Sequence, residues 1–153
     1  MRVIAELDEH RHAYIFGYVS SVAVSNIERL RFIVDTGSTY TTILSQDTYR
    51  LGVDYRKLQK ASCWSDTAKG LILPYELPNV TLRLEKSLGS RARVEAFSLK
   101  FVHCLPPPDD LNKLHPLSLM HSYSLLGMDV LQFFRNWQYT DTTLILRSSN
   151  LKK

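Results

Sequence analysis

The feature that most restricts the fold is a repeated alternation along the chain. Short runs rich in β-branched and aromatic residues are each cut off by a polar or glycine-bearing turn. Residues 13–19, 22–24, 30–34 and 41–44 have this character, and so do 71–77, 80–84 and 94–102. Ser45 reads as the N-cap of a short helix over 46–50 that Gly52 closes. Pro106, Pro107 and Pro108 break the pattern and open a long connection over 109–122. Leu125-Leu126-Gly127 then leads into a helical stretch over 128–134. A last hairpin runs through 137–139, a turn at 140–142 and a strand at 143–146. Many short strands with few helices imply a mostly-β, barrel-like fold, and 153 residues suit a single domain over 1–153.

Composition removes several classes of function. The longest apolar stretches, such as 71–73 and 144–146, are far too short to cross a bilayer. The first twelve residues interleave charges and lack the apolar core of a signal peptide, so the expectation is a cytoplasmic protein with no membrane partner. Cys63 and Cys104 make no disulfide framework and are expected to be buried thiols. The net charge of +4 comes from scattered residues; only Arg91 with Arg93, and Lys152 with Lys153, look clustered. No aromatic-rich RNA-binding motif accompanies them, so nucleic acid is not an expected partner. His10, His12, His103, His115 and His121 lack a Cys-x-x-Cys or His-Glu-x-x-His frame, so neither a metal nor a cofactor is expected.

Chemistry concentrates in Phe32-Ile33-Val34-Asp35-Thr36-Gly37-Ser38-Thr39. An apolar run delivers an aspartate to a strand end, and the glycine two positions on permits a tight turn. One aspartate is a poor hydrolytic machine. Carboxylate-driven peptide hydrolysis needs a base for the water and an acid for the carbonyl oxygen. Two adjacent carboxylates cannot both ionise, so they share a proton and divide those roles. Asp-Thr-Gly alone reads equally as a simple turn. What strengthens it is the distant apolar-apolar-Gly step, Leu125-Leu126-Gly127, leading into Met128-Asp129-Val130-Leu131.

With these two elements the chain resembles the retropepsin-like aspartic proteases over residues 13–147, and most closely their single-domain cellular and prokaryotic members. The resemblance implies a half-barrel with one short C-terminal helix that pairs about a two-fold axis. Asp35 would be the catalytic residue, contributed once by each chain of a homodimer. Thr36 would bond to its mate across the dimer, and Gly37 would bring its backbone close to carboxylate and substrate. Ser38 stands where pepsin-like enzymes set a hydroxyl against that carboxylate. Leu125, Leu126 and Gly127 would brace the loop from beneath. A flap over 62–73 would carry Asp66, Thr67, Ala68, Lys69 and Gly70 at its tip, and Trp64 would either line a specificity pocket or pack in the core.

The implied activity is an aspartic endopeptidase acting on extended peptide or unfolded protein, with water as the nucleophile. The alternative is a peptide-binding or dimerisation module of the same fold without turnover. Asp129 begins a helix, where a carboxylate is favoured by the free N–H groups, so a structural role is expected for it. Retroviral members carry an arginine after the apolar-apolar-Gly step, paired to an aspartate after the catalytic triplet. Met128 and Thr39 or Tyr40 replace that pair here. The strand at 143–146 is expected at the dimer interface, and the connection over 105–124 is long for the family.

Overall fold

A computed structural model of the chain describes residues 1–67, 70–107 and 123–148. In chain order its elements are β1 (Arg2–Leu7), β2 (Ala13–Ser20), β3 (Arg29–Val34), β4 (Thr42–Ile43), α1 (Ser45–Leu51), β5 (Gln59–Lys60), β6 (Ser65–Thr67) and β7 (Gly70–Ile72). Then come β8 (Tyr75–Glu85), β9 (Val94–Cys104), β10 (Ser124–Leu126), α2 (Met128–Leu131), β11 (Asn136–Tyr139) and β12 (Thr143–Arg147). The main sheet runs β11-β12-β1-β2-β3-β10-β4-β9-β8-β5, and a further β2–β8 pairing curls it into a barrel. β6 and β7 form a separate hairpin.

The alternation in the sequence sets the inward faces. Along β2 every second residue is buried, with Ala13, Ile15 and Val19 facing in. Leu30 and Phe32 on β3, Leu77, Leu82 and Leu84 on β8, and Leu144 and Leu146 on β12 complete the main contacts of one core. Each such side chain contributes about 1.5–3 kcal/mol by leaving water. Outward arginines cover the aromatic residues of β2: Arg29 lies 3.7 Å over Phe16 and Arg31 4.2 Å over Tyr14.

Several expected elements come out differently. β1 was not anticipated, because its charges mask a period of two; Val3 and Ala5 are buried, and the strand pairs with β12 and β2. Residues 22–24 form a turn with a single bridge from Val24 to Val53, and Val22 is exposed. The runs at 71–77 and 80–84 do not end where expected: Leu71 and Ile72 belong to β7, and β8 is continuous from Tyr75 through Asn79. Asn79 sits at φ 49°, which asparagine tolerates, and the β8–β9 register is the same on either side of it. Leu44, not Ser45, is the N-cap of α1, while Gly52 closes it at φ 60°. α2 stops at Leu131, and single turns carry the chain through Phe134. Phe134 is buried and Trp137 donates its indole N–H to the Phe134 carbonyl at 2.8 Å, whereas Phe133 is half exposed. Of the 105–124 connection, residues 108–122 lie outside the described residues.

Candidate active site

β10 is the element that fixes the Asp35 loop. It inserts between β3 and β4, parallel to β3 with Leu126 opposite Val34 and antiparallel to β4 with Leu125 opposite Thr42. All three residues pair with β3 and the central one also with β4, so a short strand carries a fixed register. The Asp35 N–H donates to the Leu126 carbonyl at 3.0 Å, which pins the aspartate at the end of β3. Past Gly127 the stitching continues: Met128 N–H to Ser38 O at 2.8 Å and Asp129 N–H to Thr39 O at 3.1 Å. A Cβ on Gly127 would meet the backbone nitrogen of Thr41 at 2.6 Å, so only glycine lets the two segments cross this closely.

Within the loop, Gly37 N–H donates to Asp35 Oδ1 at 2.9 Å. Gly37 does not occupy the left-handed region; its constraint is space, since an added Cβ would lie 3.2 Å from Asp35 Oδ1. Thr36 is exposed at the loop apex. Ser38 departs from expectation. Its hydroxyl donates to the Tyr40 carbonyl at 2.7 Å instead of to the Asp35 carboxylate, so it tightens the loop's exit and leaves the carboxylate to the Gly37 N–H.

Asp129 has the structural part expected of it, although its partner is the loop and not its own helix. Oδ1 accepts from Thr41 N–H at 2.9 Å and from Thr41 Oγ1 at 2.7 Å. The same Thr41 hydroxyl accepts from Gly127 N–H at 3.1 Å. This set of bonds joins both sides of the crossing where retroviral enzymes use an arginine–aspartate pair. Met128 and Thr39 are both exposed, and only their backbones take part in the crossing, Met128 N–H with Ser38 O and Thr39 O with Asp129 N–H.

A cleft of about 320 Å³ opens above the loop. Asp35, Gly37 and Ser38 of the loop line it together with Leu125 of β10 and with Trp64 and Asp66 of the flap segment. Trp64 is 64% exposed and lines the cleft, so it does not pack in the core. β6 and β7 place Asp66, Thr67 and Gly70 on the two sides of the flap hairpin, with Asp66 opposite Leu71 and Thr67 opposite Gly70. Ala68 and Lys69, expected at the tip, lie outside the described residues.

Other residues of the site carry no motif. Tyr40 packs on His103 and Phe101, at ring distances of 4.7 Å and 5.2 Å, and Tyr40 and His103 line the cleft. Burial holds the His103 pKa below its ordinary 6.5, against the opposite pull of Glu76 and Asp129. Asp47 of α1 is fully buried; it accepts from Ser124 Oγ at 2.7 Å and pairs with Arg50 at 3.1 Å, anchoring α1 to β10. Spacing gave no sign of these, because partners 77 or 88 residues apart meet only through the sheet order. The two thiols also separate. Cys104 is buried as expected, with its pKa pushed up to about 12, but Cys63 is exposed on the flap side of the cleft.

Comparison with known proteins agrees with this geometry. No curated protein matches the sequence. Among solved structures, a retropepsin-like aspartic protease from Rickettsia conorii has the same fold: TM-score 0.56, 23% identity, covering 97% of this chain and 91% of that one. The EIAV protease in complex with the inhibitor HBY-793 is a more distant match, with TM-score 0.44 and 13% identity over 82% of this chain and 89% of that one. A family model described as aspartyl protease matches residues 20–130, which include the Asp35 loop, the flap hairpin and β10. On that match the chain belongs to the aspartyl protease family and has a mostly-β, retropepsin-like fold.

Proposed function

We propose that the chain is an aspartic endopeptidase active as a two-fold homodimer, with one Asp35 from each protomer. The observation that carries this reading is the position of Asp35. It directly follows β3, its own N–H is bonded to the Leu126 carbonyl, its carboxylate accepts from Gly37 N–H, and it lines a cleft shared with Trp64 and Asp66 of the flap segment. The chain holds a single Asp-Thr-Gly, so a second carboxylate has to come from a second copy, and a two-fold axis sets two such loops face to face.

In the assembled site the two carboxylates share one proton. The ionised one takes a proton from water as the water attacks the peptide carbonyl. The protonated one donates to the carbonyl oxygen, giving a tetrahedral diol that collapses as the amine leaves with a proton. Thr36, exposed in the loop, would bond to its mate in the opposite loop. β12 is paired on both edges by β1 and β11, so the strand first expected at the interface has no free edge there. An intersubunit sheet in this region would form on the outer edge of β11, which ends the main sheet among the described residues.

The test is turnover of an unfolded protein from acid to neutral pH by wild type and by Asp35→Asn. Cleavage by wild type and its loss in the variant, with the fold intact, support the reading. Peptide binding without turnover by wild type would favour the non-catalytic module instead.

A further inference from the structure

The fold gathers cations that are scattered in the sequence. A groove of about 980 Å³ runs between the start of β1, the end of β12 and the loop that joins β8 to β9. It shares no lining residue with the Asp35 cleft. Arg2 and Arg147 face each other as register partners on β1 and β12, and Arg91 and Arg93 project from the loop. All four are exposed, and among the described residues none has an ion pair. Lys86 is also present, but it is bound to Glu95 at 2.8 Å, so the one carboxylate among the described lining residues is already neutralised.

Two physical points suggest that this surface is built for a ligand. Like charges directly opposite on neighbouring strands repel, so the Arg2–Arg147 pair costs stability until a counter-charge arrives. The loop is also fixed: Ile4 N–H donates to Lys86 O at 2.8 Å, Lys86 N–H to Arg93 O at 2.9 Å, and Arg93 N–H to Ser90 O at 2.8 Å. Preformed walls reduce the entropy lost on binding.

The lining also selects the kind of anion. Guanidinium forks match carboxylates and phosphates alike, two bonds at a time, so the discrimination comes from the rest of the lining. Among the described residues no aromatic side chain lines the groove, so they offer no platform on which the bases of a single-stranded nucleic acid could stack. Small residues such as Ser87, Gly89 and Ser90 leave room for an extended backbone. We propose that the groove docks a glutamate- or aspartate-rich segment of the protein substrate, away from the bond that is cut. Assignment of the segment to a substrate rests on the peptidase reading; binding of an acidic peptide does not.

Binding is measured by fluorescence anisotropy of a labelled oligoglutamate peptide on Asp35→Asn protein, which separates it from cleavage. Saturable binding is expected that weakens as salt is raised. It should fall at least about tenfold in the double variant Arg91→Glu/Arg93→Glu, with a smaller loss in Arg91→Gln/Arg93→Gln. These side chains are exposed, and circular dichroism confirms that each variant is folded. No binding, binding unchanged by the reversals, or preference for a labelled oligouridylate over oligoglutamate would overturn the proposal. For the substrate assignment, an oligoglutamate tail on an unfolded substrate should lower KM for wild type and not for the double reversal, with kcat unchanged. Peptide binding without that KM effect would overturn the assignment to substrate. Binding with no turnover of any substrate would remove the peptidase reading and leave the acidic-peptide site standing.

Discussion

At the scale of single residues, two side chains distinguish this site from the simplest expectation. Ser38 gives its hydroxyl to the Tyr40 carbonyl, so its contribution is to loop geometry. Ser38→Ala should lower stability by about 0.5–1.5 kcal/mol, the net value of one such bond, and leave the acidic limb of the pH–rate profile in place. An upward move of that limb would show that the hydroxyl turns to the carboxylate in the assembled enzyme. The cysteines differ by environment. Cys104 is buried with its thiol pushed up to about 12, while Cys63 is exposed beside Trp64 at the cleft. A thiol reagent should therefore modify Cys63 alone in the native protein and both residues in denaturant. Modification of both at equal rates in the native state would contradict the burial of Cys104.

At the scale of elements, β10 and the Asp35 loop form one unit, and Gly127 is the point where they touch. Gly127→Ala forces a methyl group against the Tyr40–Thr41 peptide, with an expected cost of about 1–3 kcal/mol. Because the displaced peptide continues from the Asp35 loop, kcat should fall more than KM rises; a stable, fully active variant would mean that the crossing is looser than described. β8 and β3 are tied by a second device. Glu85, 1% exposed, accepts two bonds of 2.7 Å from Arg29, and Tyr18 donates to it at 3.1 Å. Glu85→Gln should cost about 1.5–3 kcal/mol in chemical denaturation.

These elements also show what could be read from the sequence. β2, β3 and β12 declare themselves by alternation, and the Asp35 loop with Leu125-Leu126-Gly127 by motif. β1 does not, because Arg2, Glu6 and the charged turn after it conceal the buried pair Val3 and Ala5. The Asp129–Thr41 clamp and the Asp47–Ser124 bond depend on which strands lie side by side, and local pattern carries no such information. The packing of Tyr40 on Phe101 and His103 is hidden for the same reason. The basic groove is the sharpest case, since Arg2 and Arg147 become neighbours only when the first and last strands pair.

At the scale of the whole molecule, acid should weaken the fold in two stages. The pKa of His103 is lowered by burial, so the folded state resists its protonation. Stability is complete above the ordinary value of 6.5 and declines as pH falls below it, toward the lower folded value. Glu85 is lowered by its Arg29 bonds, and its contribution is lost below the ordinary 4.5, as pH falls through its folded value. His103→Gln should flatten the first stage and leave the second, as followed by thermal unfolding across pH. An unchanged first stage would assign it to other groups.

The central claim is that each chain supplies one carboxylate to a shared site. The most direct measurement is subunit mixing, in which wild-type chains are unfolded and refolded together with increasing Asp35→Asn chains and activity is expressed per wild-type chain. Random pairing with a roughly ninefold excess of variant leaves about one-tenth of the wild-type chains in homodimers. Activity per wild-type chain should accordingly fall to about that fraction. Activity that stays constant through the whole titration would contradict the account, because each chain would then carry a complete site of its own.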